Sequence, residues 1–271
     1  MTLQQWLNQA TKDLETANIT TARLDSMVLL CDELNTNSAQ LLAQPEIILS
    51  NEQQQRLNQL LERRKQHEPL AYIRQKCQFY GREFIVNKDV LVPRPETETM
   101  IELAKNLPSE ARQTFIDIGT GSGAIAITMA CELGAVQVLA TDISPACLAV
   151  ARRNCVKHKA TVDLIESNLI FTVGVTGGET ILANLPYVPN AHTINRAATL
   201  EPKLAIFGGD DGLDLYRELF DQLQGHQGYV LTESLPFQHS ALAKIAKDYG
   251  YNLETTDDFI QVFSSAVLPP V

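Results

Sequence analysis

From residue 113 onward, short apolar runs of strand length alternate with stretches of helix length. TFIDIG runs into TGSG and then AIAITMACEL. VQVLATD leads to Ser144-Pro145 and the helical CLAVARRNCVKH, with proline suited to a first helical position. TVDLIES and TILANLPY read as strands, GLDLYRELFDQL as a helix, GYVLTES as a strand and HSALAKIAKDYG as a helix. That alternation predicts an α/β fold, a doubly wound and mainly parallel sheet. NLETTDD and FIQVFSS follow each other with no helix between them, so an antiparallel edge strand is predicted. We find no internal repeat or low-complexity segment.

The first 65 or so residues read differently. Leu3, Trp6, Leu7 and Ala10 recur at helical spacing, and so do Leu57, Leu60 and Leu61. Thr20 or Thr21, Ser38, and Ser50 or Asn51 can cap helices, and no glycine occurs before Gly81. This predicts a small all-helical N-terminal domain. Residues 70–92 alternate and carry aromatic and β-branched side chains, with turn chemistry at Gly81 and Asn87-Lys88-Asp89, so a β-hairpin is predicted. Pro93-Arg94-Pro95 ends it, and Thr97 begins a helix.

Composition excludes several classes. With 271 residues, 45% hydrophobic and 20% charged, the chain has the balance of a globular protein with room for two domains. No run approaches the roughly 18–20 apolar residues of a membrane span. No secretory signal is read at the N-terminus. Five cysteines with no C-x-x-C pair suggest neither a disulfide framework nor a zinc ribbon, and point to a reducing cytoplasm. A net charge of −10 argues against broad capture of nucleic acid. His67, His158, His192, His226 and His239 lack ligand spacing, so no metal is expected and surface or loop positions are favoured for them. Arg63-Arg64-Lys65 reads as a solvated helix end. Cys131, Cys147, Cys155, Met100 and Met129 read as packing residues.

Two segments carry chemistry. Asp117-Ile118-Gly119-Thr120-Gly121-Ser122-Gly123 follows a strand and opens a helix, where glycines let backbone approach a ligand. The next strand ends in Asp142, a carboxylate suited to two ribose hydroxyls. Nicotinamide enzymes favour G-x-G-x-x-G. The G-x-G-x-G spacing here is similar to the S-adenosylmethionine (SAM) site of class I methyltransferases. The second segment is Asn184-Leu185-Pro186-Tyr187, after a further strand. An amide or exocyclic amine is a poor nucleophile with two N–H donors. The side-chain oxygen of Asn184 can accept one proton and the backbone carbonyl of Leu185 the other, while the ring of Tyr187 stacks on a planar group. Positioning and electrostatics would then supply most of the rate. The segment resembles the (Asn/Asp/Ser)-Pro-Pro-(Tyr/Phe/Trp) motif of amino methyltransferases. Leu185 departs from it, and Pro186 keeps the residue before it extended. Asn-Leu-Pro-Tyr also occurs in rRNA adenine dimethyltransferases, so this motif alone does not choose the substrate.

A third group of residues chooses. Pro69-Leu70-Ala71-Tyr72, Phe79 to Phe84, and Val90 to Glu98 with its Pro93-Arg94-Pro95-Glu96-Thr97-Glu98 run resemble the linker and PRPETE segment of the release factor glutamine methyltransferases, the HemK/PrmC family. Ala151-Arg152-Arg153-Asn154, Glu201-Pro202, Gly208-Gly209, Asp211-Gly212-Leu213, Glu233 and Gln238 add matches in the same order, so the resemblance covers essentially the whole chain. It implies methyl transfer from SAM to the side-chain amide of the glutamine in the Gly-Gly-Gln motif of class 1 peptide-chain release factors. It further implies cofactor contacts from Gly119, Thr120, Gly121, Ser122, Gly123, Asp142, Asn168, Leu169 and Asn184. Substrate contacts fall on Asn184, Leu185, Pro186 and Tyr187. Residues 1–68 are expected to be a helical domain that docks the release factor, residues 69–95 a hairpin linker, and residues 96–271 the SAM-dependent domain. A monomer in the cytoplasm is expected, with no membrane or direct nucleic-acid binding. Three departures stand out. Asn168-Leu169 replaces an acidic-aromatic pair near the adenine, Arg74-Gln75 replaces a glycine, and residues 171–180 have no assigned place. Arg94 either touches substrate or is held in a salt bridge. The alternatives are an N6-adenine methyltransferase acting on RNA or DNA, and a catalytically weakened SAM-binding module.

Overall fold

The computed structural model describes residues 1–134, 136–175 and 177–265. They form two compact units. The first comprises Met1–Gln75 together with Ile194–Leu200. Its helices are α1 (Leu3–Thr16), α2 (Ala22–Leu34), α3 (Ser38–Ala43), α4 (Asn51–Lys65) and α5 (Leu70–Arg74). Thr2 and Ser50 start α1 and α4 with reciprocal capping boxes to Gln5 and Gln53. Asn37, not Ser38, caps α3. The apolar stripes of α1, α2 and α4 meet in a core holding Trp6, Leu7, Leu14, Leu29, Leu30 and Leu57. Trp6 Nε1 donates to Asn58 Oδ1 at 2.9 Å, so its one polar atom is satisfied.

Two readings are corrected in this unit. Arg64 is buried, not solvated: its Nε donates to Asp25 Oδ2 at 2.7 Å across from α2. His67 lies in the turn after α4, a loop position as expected, and is buried there. The stretch from Leu70 to Arg74 is helical, where sequence alternation predicts hairpin. That helix ends at Gln75, whose φ of +58° is left-handed. A glutamine thus makes the turn a glycine usually makes, at a cost of roughly 1 kcal/mol.

The second unit comprises Lys76–Thr193 and Glu201–Val271, the residues from 266 lying outside the described ones. Strands β1 (Lys76–Phe79) and β2 (Arg82–Ile85) form the hairpin. Tyr80 and Gly81 join them, both with positive φ, the geometry that matches strand twist. A 3-10 turn at Pro95–Thr97 precedes α6 (Glu98–Lys105). Then come β3 (Thr114–Ile118), α7 (Ala124–Leu133), β4 (Gln137–Asp142), α8 (Pro145–His158), β5 (Asp163–Glu166) and β6 (Thr180–Ala183). The chain continues through α9 (Asp214–Gln222), β7 (Tyr229–Glu233), α10 (His239–Asp248), β8 (Tyr251–Asp257) and β9 (Ile260–Ser265).

The seven-stranded sheet has the order β5-β4-β3-β6-β7-β9-β8. Strands β3 to β7 pair in parallel, and β9 pairs antiparallel with both β7 and β8. The predicted edge hairpin is therefore present, with its second strand inserted beside β7. Central strands β3, β6 and β7 are buried on both faces, which explains their near-continuous apolar runs. Edge strand β8 is exposed after Tyr251 and carries acidic residues and a bulge, features that discourage edge pairing. Met100 and Met129 are fully buried. His226 lies in the loop before β7 and is buried there, its ring satisfied by Tyr251 OH and the Glu179 carbonyl. Cys131, Cys147 and Cys155 lie half-buried on α7 and α8. In the stretch without an assigned place, Phe171 to Val173 form a turn, and Thr176 lies outside the described residues.

Candidate active site

Sheet order reverses beside β3, which has β4 on one flank and β6 on the other. Ligands of open α/β sheets sit at the carboxyl ends of strands at such a reversal. Across the sheet, β5, β4, β3, β6 and β7 deliver there Asn168, Asp142, Gly119, Asn184 and Glu233. Residues far apart in the chain thus share one edge.

The glycine turn is braced from below. Asp117, fully buried, accepts from Thr120 Oγ1 at 2.6 Å and from the Ala126 amide at 3.1 Å through one oxygen. Its other oxygen has no partner among the described residues. Burial pushes the Asp117 carboxyl up to about 7. Gly119, Gly121 and Gly123 all have positive φ. At Gly121 a Cβ would meet only the Gly119 carbonyl, 4.0 Å away, so this backbone borders open space. Asn154 of α8 ties the turn to the hairpin: its Nδ2 donates to the Ser122 carbonyl at 2.8 Å and to the Ile85 carbonyl at 2.9 Å. Its Oδ1 accepts from the Ile85 amide at 2.7 Å.

Asp142 accepts from the Gly121 amide with one oxygen and from the Ser144 amide with the other, both at 2.9 Å. Each oxygen keeps further lone-pair capacity. Burial raises its pKa against these hydrogen bonds. Beside it, Ile143 is 64% exposed, an apolar side chain left uncovered next to a carboxylate. Beyond β5, Asn168 is exposed and its Nδ2 donates to Glu218 at 2.6 Å. Leu169 is buried in the core with a left-handed φ of +53°, while Phe171, two residues on, is 80% exposed. These residues fit SAM: an open glycine backbone, a carboxylate with spare acceptor capacity and an exposed aliphatic side chain beside it.

Asn184 follows β6, next to the glycine turn because β6 pairs with β3 through Ala183 and Ile118. Its Nδ2 donates to Thr97 Oγ1 at 2.9 Å. Leu185 is buried, and its methyl packs under Gly119, where a Cβ would come within 3.2 Å of it. Its amide donates to Tyr216 OH at 3.4 Å, a long contact. Tyr187 OH donates to Glu233 Oε1 at 3.0 Å, and burial raises the pKa of this phenol. The backbone of Pro186 and Tyr187 is pressed by the loop containing Gly208 and Gly212, where any side chain would collide with their carbonyls. Gln238 Nε2 bridges the Tyr187 and Asp211 carbonyls at 2.8 and 2.7 Å. Arg94 is held in a salt bridge to buried Glu201 at 2.6 Å, and Glu201 also accepts from the Val92 amide.

The resemblance puts the Pro93 to Glu98 segment near the active site without giving Thr97 a role, and sequence reasoning left Glu233, Ile143 and Phe171 out of the candidate site. Glu233 is brought beside Asn184 by the pairing of β6 with β7, and Thr97 reaches Asn184 from the 3-10 turn before α6. Ile143 was legible as the residue after Asp142. Among the described residues no cluster of His, Cys, Asp or Glu could hold a metal, and no helix is long and apolar enough to cross a membrane.

Comparison with known proteins agrees with the geometry. Residues 99–200 match the methyltransferase small domain. A 16S rRNA methyltransferase from T. thermophilus, solved with AdoMet and guanosine, shares the fold at a TM-score of 0.51 and 14% identity, over 70% of this chain and 49% of that one. The sheet, its glycine turn and these matches define a class I SAM-dependent methyltransferase. Residues 5–74 match the PrmC N-terminal domain. The release factor glutamine methyltransferase of Koribacter versatilis is 39% identical over 83% of this chain and 82% of its own length. That of Shewanella oneidensis is 37% identical over 90% and 87%. The chain belongs to the release factor glutamine methyltransferase family.

Proposed function

We propose that the chain transfers a methyl group from SAM to the side-chain amide nitrogen of the Gly-Gly-Gln glutamine of a class 1 release factor. The observation that carries this reading is the anchored Asn184: its Nδ2 is taken by Thr97, and no described residue donates to its Oδ1. That oxygen accepts one N–H of the substrate amide, and the Leu185 carbonyl accepts the other. The nitrogen lone pair is then directed toward the glycine turn, against which Leu185 is packed. Tyr187, fixed through Glu233 and Gln238, supplies a flat face for the amide. When bound, SAM supplies an electrophilic methyl on a sulfonium. Gly119 to Gly123 would give it backbone contact, Asp142 would accept its ribose hydroxyls, and Ile143 with the Asn168-Leu169 turn would border its adenine. As the amide nitrogen bonds to the methyl carbon, the bond from that carbon to sulfur would break with its electron pair leaving on sulfur as a thioether, and the amide proton would pass to water. No strong base is required, and positioning does most of the work.

The match of residues 5–74 to the PrmC N-terminal domain supports residues 1–68 as the release-factor docking domain. Residues 69–95 then serve as linker and 96–271 as the catalytic domain. The chain acts as a monomer, and its charge of −10 opposes nucleic-acid binding. Its five cysteines, all free, suit a cytoplasmic setting. The test is labelled SAM with purified unmethylated release factor and an oligonucleotide control. Label on the release factor that Asn184→Ala abolishes, with SAM affinity retained, is the expected result. Label on the oligonucleotide, or none anywhere, refutes it.

A further inference from the structure

The anchored asparagine has two ends of opposite character. A carboxamide turned by half a revolution presents NH2 where it presented oxygen, and only the oxygen can accept a substrate N–H. Something must therefore hold Asn184 one way round. Its Nδ2 lies 2.9 Å from Thr97 Oγ1, but a hydroxyl can accept or donate and so does not by itself choose. The choice falls to the carboxylate beside them both.

Glu233, at the end of β7, is 1% exposed. One oxygen takes the Tyr187 hydroxyl at 3.0 Å. The other is buried and has no donor at full hydrogen-bonding distance among the described residues. Thr97 is itself 3% exposed, and the pairing of Ala183 with Thr232 sets Asn184 and Glu233 side by side at the ends of β6 and β7. Burial raises the pKa of Glu233, and hydrogen bonds from Thr97, Tyr187 and Asn184 oppose that shift. In the ionised form that these hydrogen bonds favour, the carboxylate accepts only. A Thr97 proton directed at Glu233 leaves the Thr97 lone pair for Asn184 Nδ2, and Asn184 Oδ1 is then turned outward.

We propose that Glu233 and Thr97 are positioning residues that set the orientation of the Asn184 carboxamide, so that its oxygen faces the substrate amide. Thr97 comes from the Pro93 to Glu98 run and Glu233 from a strand more than a hundred residues later, so two separated motifs serve one side chain. The inference rests on the reading of Asn184 as substrate acceptor.

The test measures kcat on unmethylated class 1 release factor and SAM affinity by calorimetry, on the full chain. Thr97→Val and Glu233→Gln each lower kcat about 10- to 100-fold while SAM affinity stays within about twofold, the pattern of an interaction lost in the transition state alone. Asn184→Asp has oxygen at both ends and needs no orienting, so Glu233→Gln/Asn184→Asp regains at least about fivefold over Glu233→Gln. A merely structural role for Glu233 gives no such recovery. Wild-type kcat in both Thr97→Val and Glu233→Gln, or a double variant no better than Glu233→Gln, overturns the inference. Asn184→Ala runs alongside: if it keeps wild-type kcat, the acceptor reading falls and the inference with it. If Asn184→Ala is inactive while Thr97→Val and Glu233→Gln are normal, only the inference falls.

Discussion

Asn154→Ala tests whether one buried amide couples the hairpin to the glycine turn. Asn154 is fully buried and makes three hydrogen bonds to backbone. Truncation strands the Ser122 carbonyl, which is buried, and two groups of Ile85 that are partly reached by water. A buried polar group left without a partner costs about 1–3 kcal/mol, and each half-hydrated group costs less than that. The expected loss is about 2–4 kcal/mol of stability, roughly 30- to 1000-fold in the folding equilibrium. Freed of its anchor, the Ser122 peptide should also weaken SAM binding by about fivefold, or 1 kcal/mol. Urea unfolding followed by far-ultraviolet circular dichroism reads the first number, and calorimetric titration with SAM reads the second. Asn154→Asp sharpens the test. It can still accept from the Ile85 amide but cannot donate to either carbonyl, so it should be no more stable than Asn154→Ala. An Asn154→Asp variant as stable as the parent, or a loss below about 0.5 kcal/mol in Asn154→Ala, refutes the argument.

Two further outcomes follow from buried charge. Asp117 carries a pKa raised from 3.8 to about 7, so the folded chain holds this proton to higher pH than the unfolded chain does. Its contribution to stability is full below about pH 4 and is lost as pH rises through about 7. Asp117→Asn keeps an oxygen for Thr120 and Ala126, removes that slope, and should be the more stable form near pH 7 by urea unfolding without SAM. In the helical unit, Arg64→Ala leaves Asp25 buried without its guanidinium and should cost about 3 kcal/mol, whereas Asp25→Leu/Arg64→Met should recover most of that loss. Trp6, the chain's single tryptophan, lies in that core, so its fluorescence reports this unit's unfolding directly.

How much of this was legible in the chain depended on distance along it. Alternation of strand-length and helix-length runs carried the doubly wound sheet, because period and length are local properties. The glycine turn and Asp142 were readable for the same reason: each lies at the end of its own strand, and the ligand-facing edge follows from the parallel order. Arg64 was misread because a basic run at a helix end looks the same whether or not a carboxylate on another helix claims one member. LAYIR was misread because a five-residue apolar stretch fits either period, and packing against α2 and α4 decided for helix. The burial of His226 was not legible because its partners, Tyr251 and Glu179, lie on a distant strand and loop.

The fold class and the two motifs were therefore already in the order of residues, since backbone preference and apolar period act within a few positions. Pairings across long separations were not: Thr97 with Asn184, Glu201 with Arg94, Asn154 with Ser122 and Ile85, Leu185 beneath Gly119. Each needs two elements brought side by side before a donor can find its acceptor or a methyl its cavity. Only the folded sheet brings those partners within reach of one another.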